Sequence, residues 1–121
     1  MNLSVLAVDD SRTMRELLKR ALCDRGFDVH VAVDGLDGLD ALKVCQPDVV
    51  ITDINMPRLD GFGFIEAVRS GDVRQRVPIL ALTTESAPEL RQRARNAGAT
   101  GWIVKPFDAE KLASVIRRVA A

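Results

Sequence analysis

The chain has 121 residues, 47% of them hydrophobic, and carries 17 basic and 17 acidic side chains. This length predicts one domain spanning residues 1–121 without an output domain, and the hydrophobic fraction argues against disorder. The balanced charge removes the field that would favour nucleic acid or an anionic membrane, and no signal peptide or membrane-spanning segment is evident. We therefore expect a cytoplasmic monomer that binds neither nucleic acid nor a membrane.

Strand-like and helix-like segments alternate in the first half of the chain. A buried strand is predicted over residues 4–9, and a half-buried strand over residues 27–32 carries His30 on its exposed face. The helix between them has a capping residue at Ser11 and a stop signal at Gly26. The apolar positions that mark the first two helices are Met14, Leu17, Leu18, Ala21 and Leu22, and then Leu36, Leu39, Leu42 and Cys45.

The alternation continues to the end of the chain. Apolar runs predict strands over residues 49–52, 79–82 and 102–104, and the stretch INMPRLDG at 54–61 is predicted to be a loop. The positions that mark three further helices are Phe62, Ile65 and Val68, then Leu90, Ala94 and Ala97, and finally Leu112, Val115, Ile116 and Val119. Five strands alternating with five helices predict an α/β fold, a doubly wound parallel sheet covered on both faces.

The two cysteines give no sign of a disulfide or a metal site. Cys23 and Cys45 lie inside helical patterns, without a CxxC spacing or neighbouring ligands. We expect both to be buried free thiols in a reducing compartment.

Polar side chains interrupt the apolar strands only where those strands end. Asp9 and Asp10 end the first strand, Asp53 the third, and Lys105 the fifth. Two hydroxyls, those of Thr83 and Thr84, end the fourth. The carboxyl ends of parallel strands meet at one edge of a sheet, which is where ligands bind in such folds. These groups are therefore expected to share one site.

Three carboxylates cannot stay ionised close together without a cation. Hard oxygen ligands suit Mg²⁺, and a metal, an ammonium and a hydroxyl together are suited to a phosphoryl group. A carboxylate there can hold the metal or act as the nucleophile, and Asp53, on the central strand, is best placed for the second role. Each residue also has an ordinary alternative: Asp10 as a helix cap, Lys105 as a solvated lysine, and Trp102 as packing at the sheet edge.

The chain resembles the receiver domain of two-component response regulators along essentially its whole length. The matching segments are VDDS at 8–11, ITDINMPRLDG at 51–61, LTTE at 82–85 and KPF at 105–107. Two longer segments, DDSRTMR and GWIVKPF, are most similar to the stand-alone, chemotaxis-type (CheY-like) subfamily. The resemblance implies the strand order 2-1-3-4-5.

The resemblance also implies a role for each residue at the predicted edge. Asp53 would be the phosphoacceptor. Asp10 and Asp53 would bind Mg²⁺ directly, Asp9 would act through water, and the backbone carbonyl of Asn55 would complete the ligands. A further set would couple phosphorylation to the surface: Thr83 and Lys105 at the phosphoryl group, a cis peptide bond before Pro106, and Trp102 in place of the family's usual switch tyrosine or phenylalanine.

The implied function is a signalling switch that catalyses only its own phosphorylation and dephosphorylation. A histidine kinase of the CheA type would donate the phosphoryl group. The surface of the fourth helix, fifth strand and fifth helix would then bind a target, such as a flagellar motor switch protein of the FliM type. A phosphate sink or shuttle in the same phosphorelay remains the alternative.

Two functions from other classes fit less well. A flavin-binding domain would need a phosphate-binding loop after the first strand, where this chain has the carboxylates of DDSR. A turnover phosphatase would need a substrate pocket and a cap domain, for which 121 residues leave no room.

Overall fold

A computed structural model describes residues 2–72, 74, 76–84 and 87–120 of the chain. Glu85, the last residue of the LTTE segment, lies outside the described residues. Strands and helices alternate in the order β1 (Ser4–Val8), α1 (Arg12–Cys23), β2 (Asp28–Ala32), α2 (Gly35–Cys45), β3 (Val49–Asp53), α3 (Gly61–Ser70), β4 (Ile79–Thr83), α4 (Pro88–Ala97), β5 (Gly101–Val104) and α5 (Ala109–Ala120).

The five strands form one parallel sheet in the order β2-β1-β3-β4-β5, which confirms the predicted fold. The register aligns the carboxyl ends of the strands. Val8 of β1 lies opposite Thr52 of β3, and Asp53 lies opposite Leu82 of β4. The residues that follow these strands are therefore brought to the same edge of the sheet.

Helices cover both faces of the sheet, and the central strands are therefore buried on both sides. Val5 and Ala7 of β1 pack in a cluster with residues of α1 and α5, whereas Leu6 and Val8 pack with residues of α2 and α3. All five residues of β3 and of β4 are buried. This explains why the central strands have continuous apolar sequences, whereas β2 at the edge buries only Val29 and Ala32 and exposes His30, as predicted, and also Val31.

Local signals end the helices largely as the sequence predicts. The Ser11 hydroxyl accepts a hydrogen bond from the Met14 N–H (3.2 Å) and caps α1. Gly98 ends α4 in a left-handed conformation with a φ of 115°. The helix α1 ends at Cys23, three residues before the predicted stop, and Gly26 completes the turn into β2 with a φ of 88°.

Four side chains predicted to lie inward do not. Cys23 is exposed and Cys45 is only half-buried, so the prediction of buried thiols is wrong, although both thiols are free. Leu17 and Leu36 are 51% and 44% exposed. The reason in α1 is geometric: Leu18 and Leu22 form the buried stripe, and Leu17 and Cys23 are each rotated by one residue from it.

No helix within the described residues is both long enough and apolar enough to span a bilayer.

Candidate functional site

Three carboxylates meet at the carboxyl edge of the sheet. Asp9 and Asp10 follow β1, and Asp53 ends the neighbouring strand β3. One oxygen from each of the three lies within 4.8 Å of the others. Asp9 and Asp53 are buried, whereas Asp10 is exposed. The structure thus brings together the three acidic residues that the sequence placed at one site.

Asp9 is held in place through both carboxylate oxygens. Its Oδ1 accepts a hydrogen bond from the Ser11 N–H (2.9 Å), and its Oδ2 accepts one from Lys105 Nζ (3.1 Å). The backbone carbonyl of Asp9 also accepts a hydrogen bond from Arg15 Nη1 (2.9 Å). With both oxygens engaged, Asp9 is less suited than the exposed Asp10 to bind a metal directly, which favours the implied division of roles.

Lys105 lies between the two buried carboxylates. Its Nζ is 3.1 Å from Asp9 Oδ2 and 3.4 Å from Asp53 Oδ1, and its side chain is only 12% exposed. The alternative that this residue is a solvated lysine is therefore wrong. The Lys105 N–H donates to the Thr83 carbonyl (2.7 Å), and the Lys105–Pro106 peptide bond is cis, the isomer that the resemblance implies.

The environment of Asp53 favours its protonated form. Burial raises the pKa of Asp53, and the neighbouring carboxylate of Asp9 raises it further. The ammonium of Lys105 and the Ile54 N–H, which donates to Asp53 Oδ1 (2.8 Å), lower that pKa in part. An ionised Asp53 is therefore a poorly hydrated carboxylate beside another negative charge, which is an arrangement that a bound cation would stabilise.

The hydroxyl and amide residues lie around this cluster. Thr83 is buried at the end of β4, and Thr84 after it is exposed. Asn55 is exposed in the loop between β3 and α3. Thr83 is thus linked to the site through the Lys105 backbone, whereas the Asn55 side chain faces solvent.

Trp102 lies half-buried on β5 and packs beside a cluster that includes Phe62 and Ala94 rather than beside the carboxylates. Its Nε1 is buried and has no hydrogen-bond partner among the residues that the structure describes. A buried N–H without a partner is costly.

Two sets of contacts near the site were not predicted from the sequence. Arg15 supports the Asp9 backbone, and Arg58 in the loop after β3 forms an ion pair with buried Asp34 (2.6 Å). The cap of α2 by Asp34 had a recognisable signal, an aspartate just before a helix. Its pairing with an arginine 24 residues away had none.

The donor set fits a hard cation. Carboxylate oxygens are the ligands that Mg²⁺ prefers, and no cysteine or histidine belongs to the cluster. Asp9, Asp10 and Asp53 are the described residues that could hold such a cation.

Replacing Asp10 with alanine should weaken Mg²⁺ binding by at least about tenfold, because outer-shell substitutions alone cost a metal site that much. Isothermal titration calorimetry with MgCl₂ measures the effect. The control is Asp28→Ala, which removes an exposed carboxylate at the opposite end of the sheet. Equal Mg²⁺ affinity of Asp10→Ala and the parent chain would remove Asp10 from the ligand set.

Comparison with known proteins places this site in a family. The response regulator receiver domain model matches residues 5–117. Response regulator MprA of Mycobacterium bovis is 39% identical over 118 residues, which cover 97% of this chain and 50% of MprA. The chain therefore spans about half the length of the MprA relatives it matches.

Two solved structures are similar over nearly their full length. The chemotaxis protein CheY4 of Vibrio cholerae is 44% identical, with a TM-score of 0.93 over 98% of this chain and 99% of that one. The receiver domain of the sensor histidine kinase PA1611 of Pseudomonas aeruginosa, solved with a magnesium ion in its active-site cleft, is 25% identical, with a TM-score of 0.91 over 99% and 98%. Sheet order, acidic edge and these similarities agree: the chain belongs to the response regulator receiver domain family.

Proposed function

We propose that the chain is a cytoplasmic phosphorylation switch that accepts a phosphoryl group on Asp53. The observation that carries this proposal is the arrangement of one ammonium, that of Lys105, between the buried carboxylates of Asp9 and Asp53, with Asp10 beside them. The site joins a nucleophile to positive charge and is open to solvent at Asp10.

The residues of the chain have distinct tasks in this reaction. Asp53 Oδ1 already accepts from Ile54 N–H and is paired with Lys105, so we assign the attack to Oδ2. The new bond joins Oδ2 to phosphorus as the bond from phosphorus to the kinase histidine breaks, and the imidazole leaves with the electron pair. The Lys105 ammonium offsets negative charge on the phosphoryl oxygens. Mg²⁺, when bound by Asp10, Asp53 and the Asn55 carbonyl, adds positive charge there, and the magnesium-bound PA1611 receiver supports its choice.

The signal leaves the site through the ends of β4 and β5. Phosphorylation replaces the single negative charge of ionised Asp53 with about two on the phosphoryl group, next to buried Thr83, whose carbonyl accepts a hydrogen bond from the Lys105 N–H. A shift of either residue therefore reaches β5, which carries Trp102, and the packed helix α4. We propose that this rearranged surface of α4, β5 and α5 binds a target protein.

The relatives suggest which proteins lie on either side of the switch. CheY4 of Vibrio cholerae is a chemotaxis response regulator of nearly the same length. By this similarity the donor is a histidine kinase of the CheA type and the target is a flagellar motor switch protein of the FliM type. The proposed chemistry is limited to phosphorylation and dephosphorylation of the chain itself.

Phosphotransfer tests the proposal directly. The histidine kinases of the source organism, each labelled with radioactive phosphate, are mixed with the chain and Mg²⁺. We expect one CheA-type kinase to transfer its label within seconds, and the labelled chain to bind the motor switch protein. Absence of transfer from every kinase would contradict the proposal, and transfer without motor binding would identify the chain as a phosphate sink.

Trp102 fluorescence should report activation. The only tryptophan of the chain lies on β5 and packs against residues of α4, so movement of α4 or β5 changes the surroundings of the ring. We expect emission or quencher access to differ between Mg²⁺ alone and Mg²⁺ with beryllofluoride, which imitates the phosphoryl group. A mostly inactive population of molecules converts to the active conformation when phosphorylation favours that conformation by a few kcal/mol. Identical spectra and quenching in both conditions would leave Trp102 as packing at the sheet edge.

A further inference from the structure

An ion pair outside the acidic cluster joins the loop after β3 to the start of α2. Asp34 is 4% exposed, and its Oδ1 caps α2 by accepting from the Asp37 N–H (2.9 Å). The Arg58 guanidinium forks onto the same carboxylate, with Nε 2.6 Å from Oδ2 and Nη2 2.9 Å from Oδ1. A two-pronged arginine–carboxylate pair fixes direction as well as distance. It therefore defines where Arg58 lies.

The backbone adds a second link between the same two segments. The Gly35 N–H donates to the Leu59 carbonyl (3.1 Å). A Cβ at Gly35 would lie 2.5 Å from that oxygen, so only glycine permits this approach. Arg58 itself has a φ of 64°, a left-handed conformation that is unfavourable for a residue with a Cβ. Such a conformation persists where its surroundings hold it, and here the fork onto Asp34 does so.

The other end of this loop is tied to the phosphoacceptor. The Ile54 N–H donates to Asp53 Oδ1 (2.8 Å), and the Ile54 carbonyl accepts from the Gly61 N–H (2.8 Å). Asn55 lies between this attachment and Arg58. The backbone of Asn55 is therefore held at Ile54, immediately before it, and at Arg58, three residues after it.

We propose that the Arg58–Asp34 pair positions the backbone of Asn55 for Mg²⁺ binding. The inference rests on the proposed function, which assigns the Asn55 carbonyl to the metal. Without the pair, the loop would become ordered only when Mg²⁺ binds. The loss of conformational entropy in that step would make the free energy of Mg²⁺ binding less favourable. Arg58 and Asp34 are thus positioning residues that touch neither the metal nor the phosphoryl group.

The chain contains a matched control for Arg58. Arg74 also has a left-handed φ, 50°, and also donates two hydrogen bonds to one acceptor, the Pro47 carbonyl, at 3.0 and 2.7 Å. Pro47 precedes β3, so this contact lies at the edge of the sheet opposite the acidic cluster. Both arginines are exposed, so neither Arg58→Gln nor Arg74→Gln should prevent folding.

The test measures Mg²⁺ affinity by calorimetry, with MgCl₂ as the ligand, and amide hydrogen exchange at Asn55 and Met56. We expect Arg58→Gln to weaken Mg²⁺ binding about tenfold, in the range of outer-shell substitutions, and to speed exchange at both amides. Arg74→Gln should change neither. Arg58→Lys should recover part of the affinity, because an ammonium keeps the charge but lacks the fork.

A double-mutant cycle separates the pair from unrelated effects. Asp34→Asn keeps a capping oxygen and removes the charge, so its effect and that of Arg58→Gln should not add. Equal Mg²⁺ affinity in Arg58→Gln and the parent chain would overturn the inference, as would equal losses in Arg58→Gln and Arg74→Gln. Failure of the parent chain itself to bind Mg²⁺ or to take phosphate would instead refute the proposed function.

Discussion

Asp53→Asn should abolish phosphorylation by acetyl phosphate and by a kinase while making the fold more stable at neutral pH. Labelling is lost because the amide is not a nucleophile for phosphorus. Stability rises because the substitution removes a buried charge that faces Asp9. The gain is expected to be at least on the order of 1 kcal/mol, which is the repulsion of two like unit charges about 4 Å apart in bulk water. Radioactive labelling and urea unfolding in EDTA measure the two effects.

The gain in stability of Asp53→Asn should depend on pH in a defined direction. Burial and Asp9 raise the pKa of Asp53 in the folded chain above its value in the unfolded chain. Between these two values the folded state binds more protons, so the free energy of unfolding falls as pH rises through that window. The gain in the free energy of unfolding of Asp53→Asn over the parent chain should therefore be small below the pKa of Asp53 in the unfolded chain, near 4. It should be complete above the pKa of Asp53 in the folded chain.

Asp28→Asn is the control for this comparison, because it neutralises an exposed carboxylate at the opposite edge of the sheet. Its stability should follow that of the parent chain. Stable label on the Asp53→Asn chain would move the phosphoacceptor elsewhere. A stability gain that does not change with pH would show that the ionisation of Asp53 is not its cause.

The positions of the acidic residues were predictable because they depend on one rule of parallel sheets. Apolar runs ended at Asp9, Asp53 and Thr83, and parallel strands bring their carboxyl ends to one edge of the sheet. The register observed between β1, β3 and β4 agrees with this expectation. Continuous runs of apolar residues were a sufficient signal for these strands, because strands buried on both faces have unbroken apolar sequences.

The burial of Lys105 was not predictable from its surroundings in the sequence. A single lysine after an edge strand is usually solvated, whereas this one is largely withdrawn from solvent and faces Asp9, 96 residues away, and Asp53. The fork between Arg58 and Asp34 likewise depends on a left-handed arginine, a conformation that no propensity of arginine indicates. Helical periodicity also led to the wrong prediction that Cys23 is buried. A shift of one residue along a helix turns a side chain through about 100°, which is enough to expose it.

Lys105→Met should destabilise the metal-free fold by about 3 kcal/mol at neutral pH, because removing one partner of a buried ion pair costs about 3–5 kcal/mol. The Lys105 ammonium is the cation that contacts both Asp9 Oδ2 and Asp53 Oδ1, and methionine keeps most of the apolar stem. Urea unfolding in EDTA measures the loss. Lys105→Arg, which retains the charge, should lose less stability, yet uncouple phosphorylation from target binding because its planar fork differs from an ammonium.

Protonation and Mg²⁺ should each reverse the loss in Lys105→Met, since the cause is uncompensated negative charge. Without the ammonium, the pKa of Asp53 rises further, so the deficit should grow as pH rises through the window between its unfolded and folded pKa and should shrink below that window. Saturating Mg²⁺ should stabilise the variant by more than it stabilises the parent chain, because the two carboxylates have then lost the ammonium that pairs with them. Lys111→Met, which removes an exposed lysine of α5, should show neither response. A deficit that persists at low pH and in Mg²⁺ would mean that Lys105 stabilises the edge of the sheet through packing, and that the two carboxylates do not depend on its charge.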